Sequence, residues 1–318
     1  MQNSNKNLFK MGNQIKTEEN TYRILRRLGN GGSGTAYLAM GVEGMYCGCY
    51  VVIKIFYNID KVDRLKRFEK EIEFLSKSSH PSIVTFYERG NHQVEENRYP
   101  FYVMEYMPTN LKNVLQKGHL DIEKAFLYTT QLISALQYMQ SYNIIHRDIK
   151  PENIFINGNQ AILGDFGLLK ELNSDDEIDQ DIKDLYSSIS NGDAMPKNYR
   201  SPQLIAYMKD KKPLTFNSDI FQLGISVATM FIGKHPLKWA DSIDDPIEFK
   251  EPLGTFLKPL NNIEQNTFKG EYIIAFIRGM LCLDENKFWS VEKLLKDSTT
   301  TFSNYLREKE KLEGRIFE

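Results

Sequence analysis

The chain has 318 residues, of which 41% are hydrophobic and 26% are charged, the balance of an ordinary globular protein. Its formal net charge of −2 provides no large positive excess, which argues against a nucleic-acid binder. Its three cysteines, Cys47, Cys49 and Cys282, are too few and too unevenly spaced for a disulfide framework. We find no apolar run of membrane-spanning length and no signal-peptide core, so we expect a soluble, intracellular protein without membrane insertion, cytoplasmic or alternatively nuclear.

The first third of the chain is predicted to form a small sheet with one helix. Residues 1–20 are polar and lack periodicity, which predicts a flexible tail. Strand-like runs follow at residues 22–28, 35–40, 50–57, 83–89 and 101–106. Between the third and fourth runs, apolar residues recur at the three- and four-residue steps of a helix: Val62, Leu65, Phe68, Ile72 and Leu75.

From Pro108 onward the pattern becomes helical, notably over residues 122–139, 219–231 and 272–283. Because the composition switches from β-rich to α-rich at this point, we place a boundary between two lobes after Met107. The predicted domain covers residues 21–300, with an N-lobe at 21–107 and a C-lobe at 108–300. A C-terminal tail at 301–318 is expected to be helical. A cleft between two such lobes is a common ligand site.

The most informative stretch is His146-Arg147-Asp148-Ile149-Lys150-Pro151-Glu152-Asn153. Pro151 disfavours a helix at Lys150, so the stretch is predicted to be a loop. It combines a carboxylate, a cation and an amide, from Asp148, Lys150 and Asn153. Phosphoryl transfer needs an acceptor for a hydroxyl proton, a positive charge near the phosphate and an oxygen ligand for a hard metal ion, and these groups supply all three.

A hairpin is predicted directly after this loop. Apolar runs flank Asn157-Gly158, which is a strong turn signal. Folding the chain there returns Asn153 to the side of Gly164 and Asp165. An amide oxygen and a carboxylate at one end of a hairpin are suitable ligands for Mg²⁺, which takes few protein oxygens besides phosphate and water.

A glycine-rich segment, Gly29-Asn30-Gly31-Gly32-Ser33-Gly34, lies between the first two predicted strands. Glycine lets backbone amides approach phosphate oxygens. A strand follows Gly34, which disfavours a dinucleotide fingerprint, since that motif opens a helix. Lys54 ends a later strand; taken alone, such a lysine is most often a surface residue.

These motifs together resemble the eukaryotic protein kinase family in its serine/threonine form. The resemblance covers about residues 22–300 and implies an α+β, bilobal fold with a nucleotide cleft between a β-rich N-lobe and a helical C-lobe. It implies ATP and Mg²⁺ as cofactors, with Mn²⁺ as a substitute, and a protein as substrate.

The same resemblance assigns roles to individual residues. Asp148 would be the base or hydroxyl-orienting residue, Lys150 would contact the γ-phosphate, and Glu71 would pair with Lys54, which reaches the α- and β-phosphates. Asn153 and Asp165 would hold the metal, while His146 would be structural and pack with Phe166, Leu75 and Phe86. The residues implied to bind the nucleotide are Gly29, Asn30, Gly31, Gly34, Ala36, Val52, Lys54, Met104, Glu105, Met107 and Phe155.

Several positions depart from the family pattern. Ala36 and Val52 reverse the usual order of a large and a small residue over the adenine, which conserves total volume. Gln203 and Phe288 replace both partners of an ion pair, which we interpret as one compensated change because losing both charges can be neutral.

The segment between Gly167 and Gln203 corresponds to the activation segment of the family, and it gives weaker indications of how the activity is regulated. Ser187, Ser188 and Ser190 are candidate phosphorylation sites, for an upstream activating kinase or for autophosphorylation, and Asp193 could substitute in part for a phosphate. Pro196 is more typical of tyrosine kinases, so dual specificity stays open as an alternative. A pseudokinase scaffold is the second alternative, although Lys54, Asp148, Asn153 and Asp165 are all present. A small-molecule kinase is disfavoured by the complete activation segment.

Overall fold

A computed structural model describes residues 9–30, 34–57, 62–94, 96–172, 197–240, 245–262, 270–284 and 287–314. The chain divides into two compact units, Met1–Met107 and Pro108–Glu318. Among the described residues, no helix is both long enough and apolar enough to cross a bilayer.

The first unit is a six-stranded antiparallel sheet with one helix. Its strands are β1 (Gln14–Lys16), β2 (Thr21–Asn30), β3 (Gly34–Glu43), β4 (Tyr50–Phe56), β5 (Phe86–Val94) and β6 (Asn97–Glu105), and the helix α1 is Val62–Lys77. The strand order is β1-β2-β3-β4-β6-β5. Strand alternation packs one face into a core that includes Ile24, Ile53 and Val103.

The flexible tail predicted for residues 1–20 differs from the structure over residues 9–20. Strand β1 pairs with β2 at the sheet edge, where Ile15 lies opposite Tyr22. Phe9 is buried and packs edge-on against Tyr37 and Tyr99. A single strand of three residues and one anchoring ring carry too little periodicity to be recognised in a polar segment.

The second unit is mainly helical. Its helices are α2 (Leu111–Leu115), α3 (Ile122–Ser141), α4 (Pro202–Asp210), α5 (Asn217–Ile232), α6 (Leu253–Phe256), α7 (Glu271–Met280) and α8 (Val291–Leu312). Its short strands are β7 (Thr109–Asn110), β8 (Ile144–Ile145), β9 (Ile154–Asn157), β10 (Gln160–Leu163) and β11 (Lys170–Glu171). Asp121 caps α3 by accepting from the Lys124 N–H, and Ser201 caps α4 by accepting from the Leu204 N–H.

Helix α8 continues without a break past residue 300, where the predicted domain ends. Its second half packs on α3: the rings of Phe302 and Phe126 stack with centroids 5.7 Å apart. Farther along, Lys309 Nζ lies 2.6 Å from a carboxylate oxygen of Glu123. The helix predicted for the C-terminal segment is therefore present to Leu312 and packs on the C-terminal unit.

Candidate active site

Lys54 and Glu71 form a buried ion pair in the first unit. Lys54 Nζ lies 2.8 Å from Glu71 Oε1, with side chains 11% and 1% exposed. The hydroxyl of Tyr102 donates to the same oxygen at 2.7 Å. Strand β4 supplies the lysine, α1 the glutamate and β6 the tyrosine. Because burial makes an unpaired charge costly, the Glu71 carboxylate fixes the position of the Lys54 ammonium group. The Tyr102 hydroxyl in turn holds that carboxylate.

The glycine-rich segment joins β2 to β3. Gly29 pairs with Ala36 and Asn30 with Thr35, so these two positions belong to the hairpin. A Cβ on Gly34 would lie 2.3 Å from the Ile55 carbonyl oxygen, so a larger residue would force the backbone to move. Gly31 lies outside the described residues, with Gly32 and Ser33.

Ala36 and Val52 lie on the same sheet face as Lys54. Ala36 pairs with Lys54, and Leu38 pairs with Val52 on the neighbouring positions of that face. Val52 is buried and Ala36 is half-buried. This arrangement places the reversed small and large residues beside the lysine.

At the end of β6, Met104 and Met107 are both buried. The N–H of Glu105 donates to the Thr85 carbonyl at 2.9 Å. Because this N–H is engaged, the backbone carbonyl of Glu105 is the group of this residue that could accept a hydrogen bond from a nucleotide base.

The backbone of the loop predicted to be catalytic is held from helix α5. Asp219 accepts from the His146 N–H at 2.7 Å through one carboxylate oxygen and from the Arg147 N–H at 2.9 Å through the other. Arg147 has a left-handed backbone, with φ of 67°. A non-glycine residue keeps that conformation only where its surroundings impose it.

Asp148, Lys150 and Asn153 meet at the end of this loop. Lys150 Nζ lies 2.9 Å from each carboxylate oxygen of Asp148. The side-chain amide of Asn153 donates to Asp148 Oδ2 at 2.8 Å and to its backbone carbonyl at 2.9 Å. Burial raises the pKa of Asp148 to about 6, against the opposing effect of Lys150. The carboxylate is thus poised as a proton acceptor near neutral pH.

His146 has a structural role, as the resemblance implies. The Asp148 N–H donates to His146 Nδ1, so the ring proton lies on Nε2, which reaches the Gly164 carbonyl at 3.2 Å. The ring is fully buried and lies 4.7 Å, between centroids, from Phe166. Both ring nitrogens are engaged, which leaves neither for proton transfer.

The predicted hairpin is formed by β9 and β10, with Ile156 opposite Ala161. Its open end brings Asn153 to Gly164, whose N–H donates to the Asn153 carbonyl at 3.0 Å. Asp165 follows with an exposed side chain and a φ of 59°. Phe155 lies half-buried on β9.

The donors at this hairpin end fit a hard divalent cation. Asn153 directs its nitrogen at Asp148, which leaves its amide oxygen for a ligand, and Asp165 contributes a carboxylate. Within the described part of the chain, no group of three or more His, Cys, Asp or Glu side chains could hold a metal. Mg²⁺ commonly takes one or two protein oxygens and completes its coordination with phosphate and water, so Asn153 and Asp165 would suffice as its protein ligands.

Gln203 is fully buried at the start of α4. Among the described residues, neither its amide nitrogen nor its amide oxygen has a hydrogen-bond partner. Phe288 is half-buried. The amide thus carries no charge to be balanced, but it buries two polar atoms that contact no described partner.

The activation-segment predictions lie outside the described residues. They concern Ser187, Ser188, Ser190, Asp193 and Pro196.

Two residues in contact with the site were missed by sequence reasoning. Tyr102 bonds Glu71, and Gln222 bonds the main chain around Asp148. The sequence signal for Gln222 is a long polar side chain one turn after Asp219, between apolar neighbours in the same helix.

Comparison with known proteins gives one consistent family. The model of the protein kinase domain matches residues 22–299. The human serine/threonine-protein kinase Nek5 is 31% identical over 225 residues, covering 68% of this chain and 28% of that protein. PrkC, a serine/threonine-protein kinase of Bacillus subtilis, is 32% identical over 224 residues, covering 68% and 31%.

A probable serine/threonine-protein kinase, PknB of Lactococcus lactis, is 26% identical over 297 residues, covering 92% of this chain and 43% of that protein. The chain thus spans less than half the length of these relatives. Because the family model covers most of the sequence, the chain belongs to the protein kinase family.

Proposed function

We propose that this chain is a protein kinase that transfers the γ-phosphate of Mg²⁺-bound ATP to serine and threonine hydroxyls of protein substrates. The observation that carries this is the cluster of Asp148, Lys150 and Asn153, joined by contacts of 2.8–2.9 Å. Relatives named as serine/threonine kinases support the same acceptor class.

The chemistry follows from what these side chains can do. Asp148 accepts the proton of the substrate hydroxyl as that oxygen bonds to the γ-phosphorus and the bond to the β-phosphate oxygen breaks, releasing ADP. Lys150 lies against Asp148 and offsets the negative charge of the transferring group. Bound Mg²⁺ would neutralise phosphate charge, with Asn153 and Asp165 as its protein ligands.

In the first unit, Lys54 would hold the α- and β-phosphates. Its ammonium group is positioned by Glu71 Oε1 at 2.8 Å. The glycine-rich hairpin would cover the phosphates with main-chain amides. Mn²⁺ would substitute for Mg²⁺, because both are hard cations that take oxygen ligands.

The alternatives predict different outcomes in one assay. Peptide arrays with serine, threonine and tyrosine acceptors are incubated with Mg·ATP and either the wild type or Asp165→Asn. We expect phosphorylated serine and threonine peptides with the wild type and a signal near background with the variant. Equal background signals from both proteins would favour a scaffold, and strong tyrosine labelling would favour dual specificity.

A further inference from the structure

Gln222 is a fully buried polar residue on helix α5, within a run of buried apolar side chains. A buried amide whose donor or acceptor lacks a partner costs free energy, so most buried amides are hydrogen-bonded. Gln222 directs its amide at the main chain of the catalytic loop on helix α5's side of Asp148.

Two hydrogen bonds made by Gln222 flank the proposed base. Its Oε1 accepts from the Ile149 N–H at 2.9 Å. Its Nε2 donates to the Arg147 carbonyl at 3.1 Å. The first group belongs to the peptide that follows Asp148 and the second to the peptide that precedes it. One side chain therefore fixes the orientation of both peptide planes on either side of Asp148.

Gln222 adds to the hydrogen bonds that Asp219 makes with the backbone of the catalytic loop. Asp219 binds the N–H groups of His146 and Arg147, and Gln222, one helical turn later, binds the Arg147 carbonyl and the Ile149 N–H. The left-handed Arg147 lies between these anchors, with φ of 67°. A strained residue of this kind needs such restraints to persist.

The chemistry of the position is specific to a side-chain amide. Only a group with one donor and one acceptor at this reach can bind both a carbonyl and an N–H. Glutamate lacks the donor when it is ionised, and methionine, of similar length, has neither group in useful strength.

We propose that Gln222 is a positioning residue for the phosphoryl transfer, which holds the Asp148 carboxylate in its productive orientation by clamping the peptides on both sides of it. This inference rests on the proposed kinase activity. Gln222 does not touch the reacting atoms; it acts through the backbone of Asp148.

The test uses the full-length chain and compares Gln222→Met with the wild type in steady-state peptide phosphorylation. Positioning of a base affects the transition state more than ground-state binding. We expect kcat to fall by about tenfold or more, with KM for ATP and for the peptide changed by less than about twofold.

Ile225→Val serves as the matched control. Ile225 is buried on the same helix, and its truncation by one methyl group lowers stability without altering a bond to the loop. We expect this variant to lose thermal stability and to keep the kcat of the wild type. Equal kcat values for Gln222→Met and Ile225→Val would overturn the inference, as would a fall in kcat accompanied by an equal rise in KM.

Gln222→Asn keeps the test decisive if the methionine variant does not fold. It retains a buried amide but is one methylene shorter, so it cannot span both contacts. We expect its kcat to fall with KM preserved, and a wild-type kcat would overturn the inference. An inactive wild type would contradict the proposed function itself, whereas an active wild type with an unaffected Gln222→Met contradicts only the role of Gln222.

Discussion

Lys54 Nζ and Glu71 Oε1 lie 2.8 Å apart, and the Tyr102 hydroxyl donates to the same glutamate oxygen at 2.7 Å. The glutamate is 1% exposed, so its charge is balanced almost entirely by these two groups. Removing one member of a buried ion pair typically destabilises a protein by about 3–5 kcal/mol, since the other charge is left unpaired.

Glu71→Gln should therefore weaken ATP use. The neutral amide no longer balances the Lys54 ammonium, so we expect kcat/KM for ATP to fall by about a hundredfold. Tyr102→Phe is the matched comparison, because it keeps the ion pair and removes one hydrogen bond. We expect that variant to lose less than about tenfold, and losses of equal size would contradict the dominant role of the ion pair.

The pKa of Asp148 predicts the acidic limb of the rate profile. Burial raises this pKa to about 6, so the carboxylate becomes protonated as the pH falls through that value and no longer accepts the hydroxyl proton. We expect log kcat/KM to decline below about pH 6 in a profile measured from about pH 5 to 8.5. A plateau that extends unchanged to pH 5 would contradict this assignment.

The same shift predicts how the stability of Asp148→Asn relative to the wild type changes with pH. A carboxylate whose folded pKa is raised favours folding most when it is protonated, and that stability is lost as the pH rises through about 6. Asparagine resembles the protonated form and does not titrate, so we expect the free energy of unfolding of the variant to rise relative to that of the wild type between about pH 5 and 7.5, while the loss of the Lys150 partner adds a cost that does not change over this range.

The pH dependence of that difference provides the control. In denaturant titrations at several pH values, the stability of Asp148→Asn relative to the wild type should fall as the pH is lowered towards about 5. A difference that is constant with pH would have another origin.

Substitutions at Gln203 test the interpretation that Gln203 and Phe288 together replace an ion pair. Its buried amide has no hydrogen-bond partner within the described part of the chain, so Gln203→Met should keep or raise the melting temperature. Gln203→Glu should lower it by burying an unpaired charge, and the double variant Gln203→Glu/Phe288→Arg should recover part of the loss. Unchanged thermal stability of Gln203→Glu would contradict the compensated-change interpretation.

Ala36 and Val52 reverse the usual order of a large and a small residue on one face of the sheet. We therefore expect substitutions at the two positions to have coupled effects on nucleotide affinity. Ala36→Val alone should overfill the lysine face of the sheet, and Val52→Ala alone should leave a gap. Together they conserve volume, so the double variant should bind ADP within about threefold of the wild type, while each single variant binds more weakly. Additive losses in calorimetric titrations would show that the two positions do not share a pocket wall.

Much of this architecture was predictable because its signals are local. The hairpin of β9 and β10 follows from apolar runs around Asn157-Gly158, and that turn alone delivers Asn153 to Gly164. The long helices α3 and α5 follow from apolar periodicity. The ion pair of Lys54 and Glu71 came from family spacing and not from residue chemistry, since a strand lysine is usually exposed.

What could not be predicted depends on tertiary contacts. Phe9 is buried only because Tyr37 and Tyr99 are brought together by the sheet. The hydrogen bond from the Ile149 N–H to Gln222 joins positions far apart in the chain, and no periodic pattern in the sequence predicts it. Whether the amide of Gln203 is hydrogen-bonded depends on which residues pack around it, and the local sequence does not specify them.

The central claim is that this chain phosphorylates serine and threonine hydroxyls with Asp148 as proton acceptor. The most direct measurement is phosphoamino-acid analysis of a protein substrate mixture after incubation with Mg·ATP labelled in the γ-phosphate, with Asp148→Asn in parallel. We expect labelled phosphoserine and phosphothreonine from the wild type and a decrease of at least about a hundredfold with the variant. Equal labelling by both proteins, or none by either, would contradict the account.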